Sequence, residues 1–268
     1  MKQLKIISLG AGVQSSVLAL MSAKGELPLV DHCIFSDTGA EPDSVYRYLN
    51  FLQKELPFPV HIVKHKEGLT KGIEDAVNKG ERVGNPPLYT ETNGEVGILM
   101  RQCTLDYKIV PIKKKIRELL GLKKGERAKE VNCEQWIGIS LDELQRMKLS
   151  TVKYITHKFP LIDKRMNRND CLQWIKKNNY PEPPRSACVY CPYHSDKEWK
   201  NLKDNDKEGW EEAVRIDALV RNGTGKTKQK LFVHQQLKPL LEVDLSTDID
   251  KGQQVFSFQD ECEGMCGN

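Results

Sequence analysis

The 268-residue chain lacks the features that would place it in several broad classes at once. It has no long apolar run: Ile6 to Leu9 is short and gives way directly to a glycine-rich turn. A secretory leader needs a longer apolar region and a small-residue cleavage site, and a bilayer span needs roughly 18 apolar residues. The expectation is therefore a cytoplasmic protein with no membrane partner. Charge of one sign is also missing, since 41 basic against 37 acidic side chains leave a net charge of +4. That excess does not by itself mark a nucleic-acid binder. No internal repeat and no low-complexity tract appears, which excludes a solenoid. Two common phosphate-binding signatures are absent as well. The glycine spacing near the N-terminus is not that of the dinucleotide fingerprint, and no Lys-Ser/Thr pair closes a Walker loop.

What is present is an ordinary soluble composition, 39% hydrophobic and 29% charged, long enough to bury a substantial core. Eight cysteines without a leader argue against a disulfide framework and for metal or redox chemistry. Cys33, Cys103 and Cys133 are scattered, whereas Cys171, Cys188, Cys191, Cys262 and Cys266 fall in the last hundred residues.

Short β-branched runs alternate with amphipathic stretches in the first third. Strands are predicted over Leu4–Leu9, Asp31–Ser36 and Pro59–Lys64, with helices over Gln14–Ala23 and Asp43–Leu56. Strand–turn–helix repeated in this way implies βαβ units and a parallel sheet, with ligands beyond the carboxyl ends of the strands. The stretch 81–97, with Asn93-Gly94, reads as a loop or small hairpin. Leu105–Leu120 reads as one helix with a face of Lys113, Lys114, Lys115 and Arg117, best explained as solvated. Gln135–Ser140 is a fourth strand. Helices are predicted over Asn169–Asn178, Asp196–Leu202 and Lys207–Arg221, with a break at Pro181-Glu182-Pro183-Pro184. The expected organisation is a nucleotide-binding α/β domain over 1–160 and a helical, cysteine-bearing region over 161–268.

Four segments carry candidate chemistry, each at a predicted strand end. The first is Ser8-Leu9-Gly10-Ala11-Gly12-Val13-Gln14-Ser15-Ser16, where glycines bring backbone N–H groups close to an anion and the serines cap the helix or donate to phosphate. The second is Ser36-Asp37-Thr38-Gly39-Ala40-Glu41. The third is Arg101-Gln102-Cys103-Thr104 with Lys108 and Pro111, offering cations for phosphate or sulfate. The fourth is Gly138-Ile139-Ser140-Leu141-Asp142-Glu143 with Arg146. Cys188-Val189-Tyr190-Cys191 forms a CxxC pair suited to a redox dithiol, half a zinc site or half an iron–sulfur site. Glu261-Cys262-Glu263-Gly264-Met265-Cys266 supplies a second pair, and Cys171 is a rival ligand.

Over residues 3–195 this order of motifs resembles the PP-loop ATP pyrophosphatases and PAPS reductases. In their S-G-G-x-D-S loop Gly10 stands at the first serine, Ala11 and Gly12 at the glycines, Gln14 at the aspartate and Ser15 at the last serine. The resemblance implies a Rossmann-like parallel sheet with helices on both faces, of the adenine nucleotide alpha-hydrolase kind. It implies that Ser8, Gly10, Gly12, Gln14, Ser15, Ser16, Gly138 and Ser140 line the nucleotide site. Asp37 and Gly39 would contact the adenosine side, and Arg101, Lys108 and Arg146 would neutralise anionic groups. Arg101, Lys108 and Asp37 are the expected catalytic set.

Relatives in sulfur transfer, such as DNA phosphorothioation enzymes, imply a [4Fe–4S] cluster on Cys171, Cys188, Cys191, Cys262 and Cys266, with zinc as the alternative. Glu261-Cys262-Glu263-Gly264 resembles the reductases' E-C-G nucleophile motif, interrupted by Glu263, and a ligand role for Cys262 is the preferred reading. The expected activity is ATP binding with Mg²⁺ and release of pyrophosphate, activating a nucleic-acid or nucleotide acceptor for sulfur or related group transfer with a sulfur-donor protein. The alternatives are a reductase of PAPS or APS working with thioredoxin, and a nucleotide-sensing or adaptor module without turnover.

Overall fold

A computed structural model describes residues 3–81, 85–92, 94–128, 132–225 and 227–246. The chain opens with β1 (Leu4–Leu9), α1 (Val13–Ala23), β2 (His32–Asp37), α2 (Asp43–Glu55), β3 (Val60–Lys64) and α3 (Leu69–Lys79). A hairpin follows, β4 (Tyr89–Thr92) and β5 (Glu95–Ile98), then α4 (Val110–Leu119), β6 (Cys133–Ile137) and β7 (Ile155–Lys158). The remaining elements are α5 (Pro160–Asp163), α6 (Arg168–Lys177), α7 (Asp196–Asn205), α8 (Lys207–Val220) and the short β8 (Leu231–Phe232).

Five strands form one parallel sheet in the order β3-β2-β1-β6-β7. Alternation along the strands divides the core in two. Ile7, Leu9, Cys33 and Phe35 face α1, α2 and α6, whereas Ile6 and Ile34 face Ile112 and Ile116 of α4. Both faces are therefore covered, as parallel strands require. The predicted α/β sheet with helices on both sides is what the chain adopts. Residues on either side of position 160 share the first of these cores, because Leu161, Cys171 and Ile175 pack with α1.

A second apolar cluster lies apart from the sheet. It unites Leu69 and Ile73 of α3, Leu88, Tyr107, Val189, Tyr190, Trp199, Trp210 and Ile216. The hairpin and β8 make a small antiparallel sheet, β5-β4-β8, joined to it through Leu231.

Most predicted elements appear within a residue or two of their expected bounds. The single helix expected over Leu105–Leu120 is instead a π-helical turn, Leu105–Ile109, followed by α4. The wider turn changes the facing of its side chains relative to an α-helix, and Tyr107 and Lys108 are buried there. The fourth strand begins earlier than predicted, at Cys133, and ends at Ile137, leaving 138–140 as a loop. Helix α3 has no counterpart among the predicted elements. Glycines at 68 and 72 hide a pattern of Leu69, Ile73 and Ala76 that buries one face. Among the described residues no helix is long and apolar enough to cross a membrane.

Candidate functional site

Strand order reverses between β1 and β6, so the crevice of this sheet lies where the β1 and β6 loops leave its carboxyl edge. The loop after β1 turns through Ala11, at φ 58°, a conformation favouring glycine. Ser15 Oγ accepts from Gly10 N–H at 3.1 Å and closes the turn. Ser186 Oγ donates to the Gly10 carbonyl from the segment leading to the CxxC pair. Gly10, Gly12, Gln14, Ser15 and Ser16 are all buried, as are Gly138 and Ser140 across the crevice.

Gln14 is the hub of that crevice. Its Nε2 donates to Glu143 Oε2 at 3.1 Å and to Ser140 Oγ at 3.3 Å, while its Oε1 accepts from Arg168 Nη1 at 3.0 Å. Glu143 is paired with Arg146, and Asp142 accepts from Ser140 Oγ at 2.6 Å and from the Arg168 backbone N–H. The amide thus satisfies a donor and an acceptor on opposite sides, which a carboxylate beside Glu143 would not do. Arg146, expected to meet an anion, is engaged by Glu143. Ser8 sits deeper, accepting from Gln135 Nε2 at 2.6 Å.

At the end of β2, Asp37 caps its own turn by accepting from Gly39 N–H at 2.7 Å and from Tyr46 Oη at 2.8 Å. Lys64 Nζ lies 3.9 Å from its other oxygen. Gly39 has φ 74°, and a Cβ there would meet Lys64 Nζ at 2.8 Å. Next to it, Thr38 Oγ1 lies 3.1 Å from Glu41 Oε1 and 3.3 Å from Cys188 Sγ. Glu41 forms a buried ion pair with Lys108 Nζ at 3.4 Å. Lys108 therefore brings no net charge to the site. The hydrogen bond from Val189 N–H to Ala40 O, 2.8 Å, fastens the CxxC segment to this turn.

These contacts assemble a narrow pocket in which Thr38, Arg101, Cys103, Lys108, Cys188 and Cys191 meet. The second and third sequence motifs and the CxxC pair share it, with Thr38 and Cys188, 150 residues apart, in contact. Arg101 stacks over the Tyr193 ring at 5.5 Å. Enclosure raises the Cys188 thiol well above its ordinary range; Glu41 adds to the rise and Lys108 opposes it. A larger open cleft of about 800 Å³ adjoins on the β3 side, lined by His65, Lys66, Gly68, Lys71 and Asp106 among others. None of the expected site residues lines that cleft.

No protein-family model and no curated protein matches the chain. Among solved structures it is similar to a phosphoadenylyl-sulfate (PAPS) reductase from Candida auris in a phosphate complex. The match has 15% identity and a TM-score of 0.44, over 68% of this chain and 76% of that one. Likeness at that level does not assign a family.

The expected ligand set is not gathered in one place. Cys171 is wholly buried in the core against α1, in a different cluster from Cys188. Cys262 and Cys266 lie outside the described residues. Among the described residues no three His, Cys, Asp or Glu side chains sit where they would hold a metal ion. Of the predicted set, then, Cys171 stands apart from the CxxC pair. Arg168 and Ser186 were given no role by sequence reasoning, because their partners Gln14 and Gly10 are distant in sequence. Thr38, Glu41, Cys103 and Glu143 lay within quoted motifs but were given no role there.

Proposed function

We propose that the chain is a PP-loop enzyme that binds ATP and releases pyrophosphate, activating an acceptor for sulfur or related group transfer. The observation that carries this reading is the meeting of Arg101, Thr38 and the thiols of Cys103, Cys188 and Cys191 in one pocket at the carboxyl edge of the sheet. The order of motifs in the sequence supplies the nucleotide. In the reaction the acceptor oxygen attacks the α-phosphorus, the α–β anhydride bond breaks, and pyrophosphate leaves with the bonding electrons while the acceptor proton passes to water. Arg101 is the group suited to hold an anionic oxygen in fork geometry, with its guanidinium carbon 5.5 Å from the centre of the Tyr193 ring. Preorganised positive charge at the developing anion is the main catalytic contribution of such a site. Mg²⁺ would arrive on the phosphates of ATP and there offset their charge.

The same thiols beside an arginine favour a second reading, reduction of PAPS or APS to sulfite with thioredoxin as reductant. Calorimetric titration of anaerobically purified protein with ATP, PAPS and APS, each with and without Mg²⁺, separates the two. Preference for ATP with Mg²⁺ is expected. Preference for PAPS or APS would replace the first reading by the second, and absence of binding to all three would overturn both. Arg101→Ala is expected to weaken binding of the preferred nucleotide by at least ~10-fold, the loss of one charge-assisted contact.

A further inference from the structure

The small antiparallel sheet has an edge unlike those of the main sheet. In the order β5-β4-β8 one side of β5 has no neighbour. Leu99 N–H, just past the strand, donates to Leu88 O at 2.8 Å, on the β4 side. Alternation then turns the backbone N–H and C=O groups of Val96, Ile98 and Met100 outward. The side chains of the same residues are exposed, by 58%, 47% and 79%. Natural sheets guard such edges with lysine, proline or brevity. The main sheet's edge strands β3 and β7 end in Lys64 and Lys158, and β8 has only two residues. From Val96 to Met100 there is no charge and no proline. We infer that this edge is the seam of a homodimer, in which β5 pairs antiparallel with β5 of a second copy.

A two-fold axis through Ile98 satisfies both the backbone and the charges. It sets Ile98 against its own copy and Val96 against the partner's Met100, so the outward N–H groups meet outward carbonyls. Gly97 then faces the partner's Leu99, and a strand glycine suits close approach by another backbone. At the two ends Glu95 lies opposite the partner's Arg101, a cross-strand pair of opposite charge. The apolar side chains of both copies fall on one face, where pairing removes their surface from water. A second copy is the occupant that fits, because the register that pairs the backbone also pairs the charges. Arg101 lines the narrow pocket as well, so the seam ends beside the candidate site. The dimer does not rest on the nucleotide reading, since association is measured without ligand.

The test is sedimentation equilibrium of the full chain between ~1 and ~100 μM, because a seam of one strand a side is smaller than a standard interface and dissociates on dilution. A reversible monomer–dimer equilibrium is expected. Ile98→Lys, checked as folded by its thermal transition, is expected to weaken dimerisation by more than ~10-fold, since it sets like charges directly opposite each other at the axis. Met100→Lys takes its place if that variant does not fold. Ile62→Lys, at an apolar residue of β3 that is 51% exposed, is expected to leave the equilibrium unchanged. Ile98→Cys is expected to form an intermolecular disulfide at position 98 on mild oxidation. Residues that exchange hydrogen bonds across antiparallel strands have Cα atoms about 5.5 Å apart, within disulfide reach. A chain that stays monomeric across the range overturns the inference, and protected Val96 and Ile98 amides in that monomer would give the edge to another segment of the same chain. A dimer that Ile98→Lys leaves intact, that Ile62→Lys weakens equally, or that Ile98→Cys does not cross-link has its seam elsewhere and overturns it too.

Discussion

Gln14 shows how a single side chain holds two halves of the crevice together. It is almost wholly buried and links the β1 loop to Ser140, Glu143 and Arg168. Truncation would leave charged partners short of a hydrogen bond inside the protein, so Gln14→Ala is expected to lower stability by about 2–3 kcal/mol. The measurement is the urea midpoint, with an unchanged slope showing that the unfolding remains the same transition. Two glycines give a second, graded case. At Gly39 a Cβ would meet the movable end of Lys64, whereas at Gly68, φ 101°, it would meet the Thr38 backbone oxygen at 2.8 Å. Gly39→Ala should therefore cost about 1 kcal/mol from backbone conformation. Gly68→Ala should cost clearly more, because main chain cannot step aside. Equal losses in thermal unfolding would contradict that account.

At the level of elements, the two helices that frame the CxxC segment start in the same way. Asn167 and Asp170 form a reciprocal cap on α6, and Ser195 and Glu198 do so on α7. These side chains satisfy N–H groups that the first turn of a helix leaves unbonded. Asn167→Ala is expected to cost about 1 kcal/mol of stability. It should also loosen Arg168, the residue immediately after the cap and the donor to Gln14. A double-mutant cycle with Gln14→Ala tests this, since coupling is expected and simple additivity would refute it. Both capping boxes were open to sequence reading as polar residues spaced three apart ahead of a helical run. What that spacing could not show is that α6 packs on α1, bringing Arg168 to the crevice.

At the scale of the whole molecule, four histidines make stability depend on pH in one direction. The most strongly shifted is His194, which burial pushes down to about 4. His32, His61 and His157 are all lowered from their ordinary value of 6.5, in each case chiefly by burial. For His32 the Asp31 carboxylate opposes the effect and Lys115 adds to it; Lys115 adds to it for His61 as well, and for His157 the Lys113 ammonium does so against the Lys148 carbonyl. In the window just below 6.5 the unfolded chain binds more protons than the folded one. The stabilisation they represent is full above that value and is lost as pH falls through the window. The thermal midpoint is therefore expected to drop between about pH 7.5 and about pH 5.5. His157→Gln should flatten the fall; an unaltered slope would remove His157 from the account.

The sequence by itself determined the alternation of strands and helices, the parallel sheet and the position of three of the four motifs at ends of its strands, the Arg101 segment instead following the hairpin. Those features follow from local periodicity and from turn residues, which act over a few neighbours along the chain. Arg101 entered as a candidate anion-holding residue through the order of motifs, not through periodicity. Tertiary structure alone decided the rest. It engaged Arg146 with Glu143 and Lys108 with Glu41, so that two expected cations are neutralised within the protein. It sent Cys171 to the face of the sheet covered by α1, and it placed Cys103 in one pocket with Cys188 and Cys191. Spacing along a chain cannot specify such partners, because which face a helix covers depends on the order of strands in the sheet, and that order is set by contacts between residues far apart.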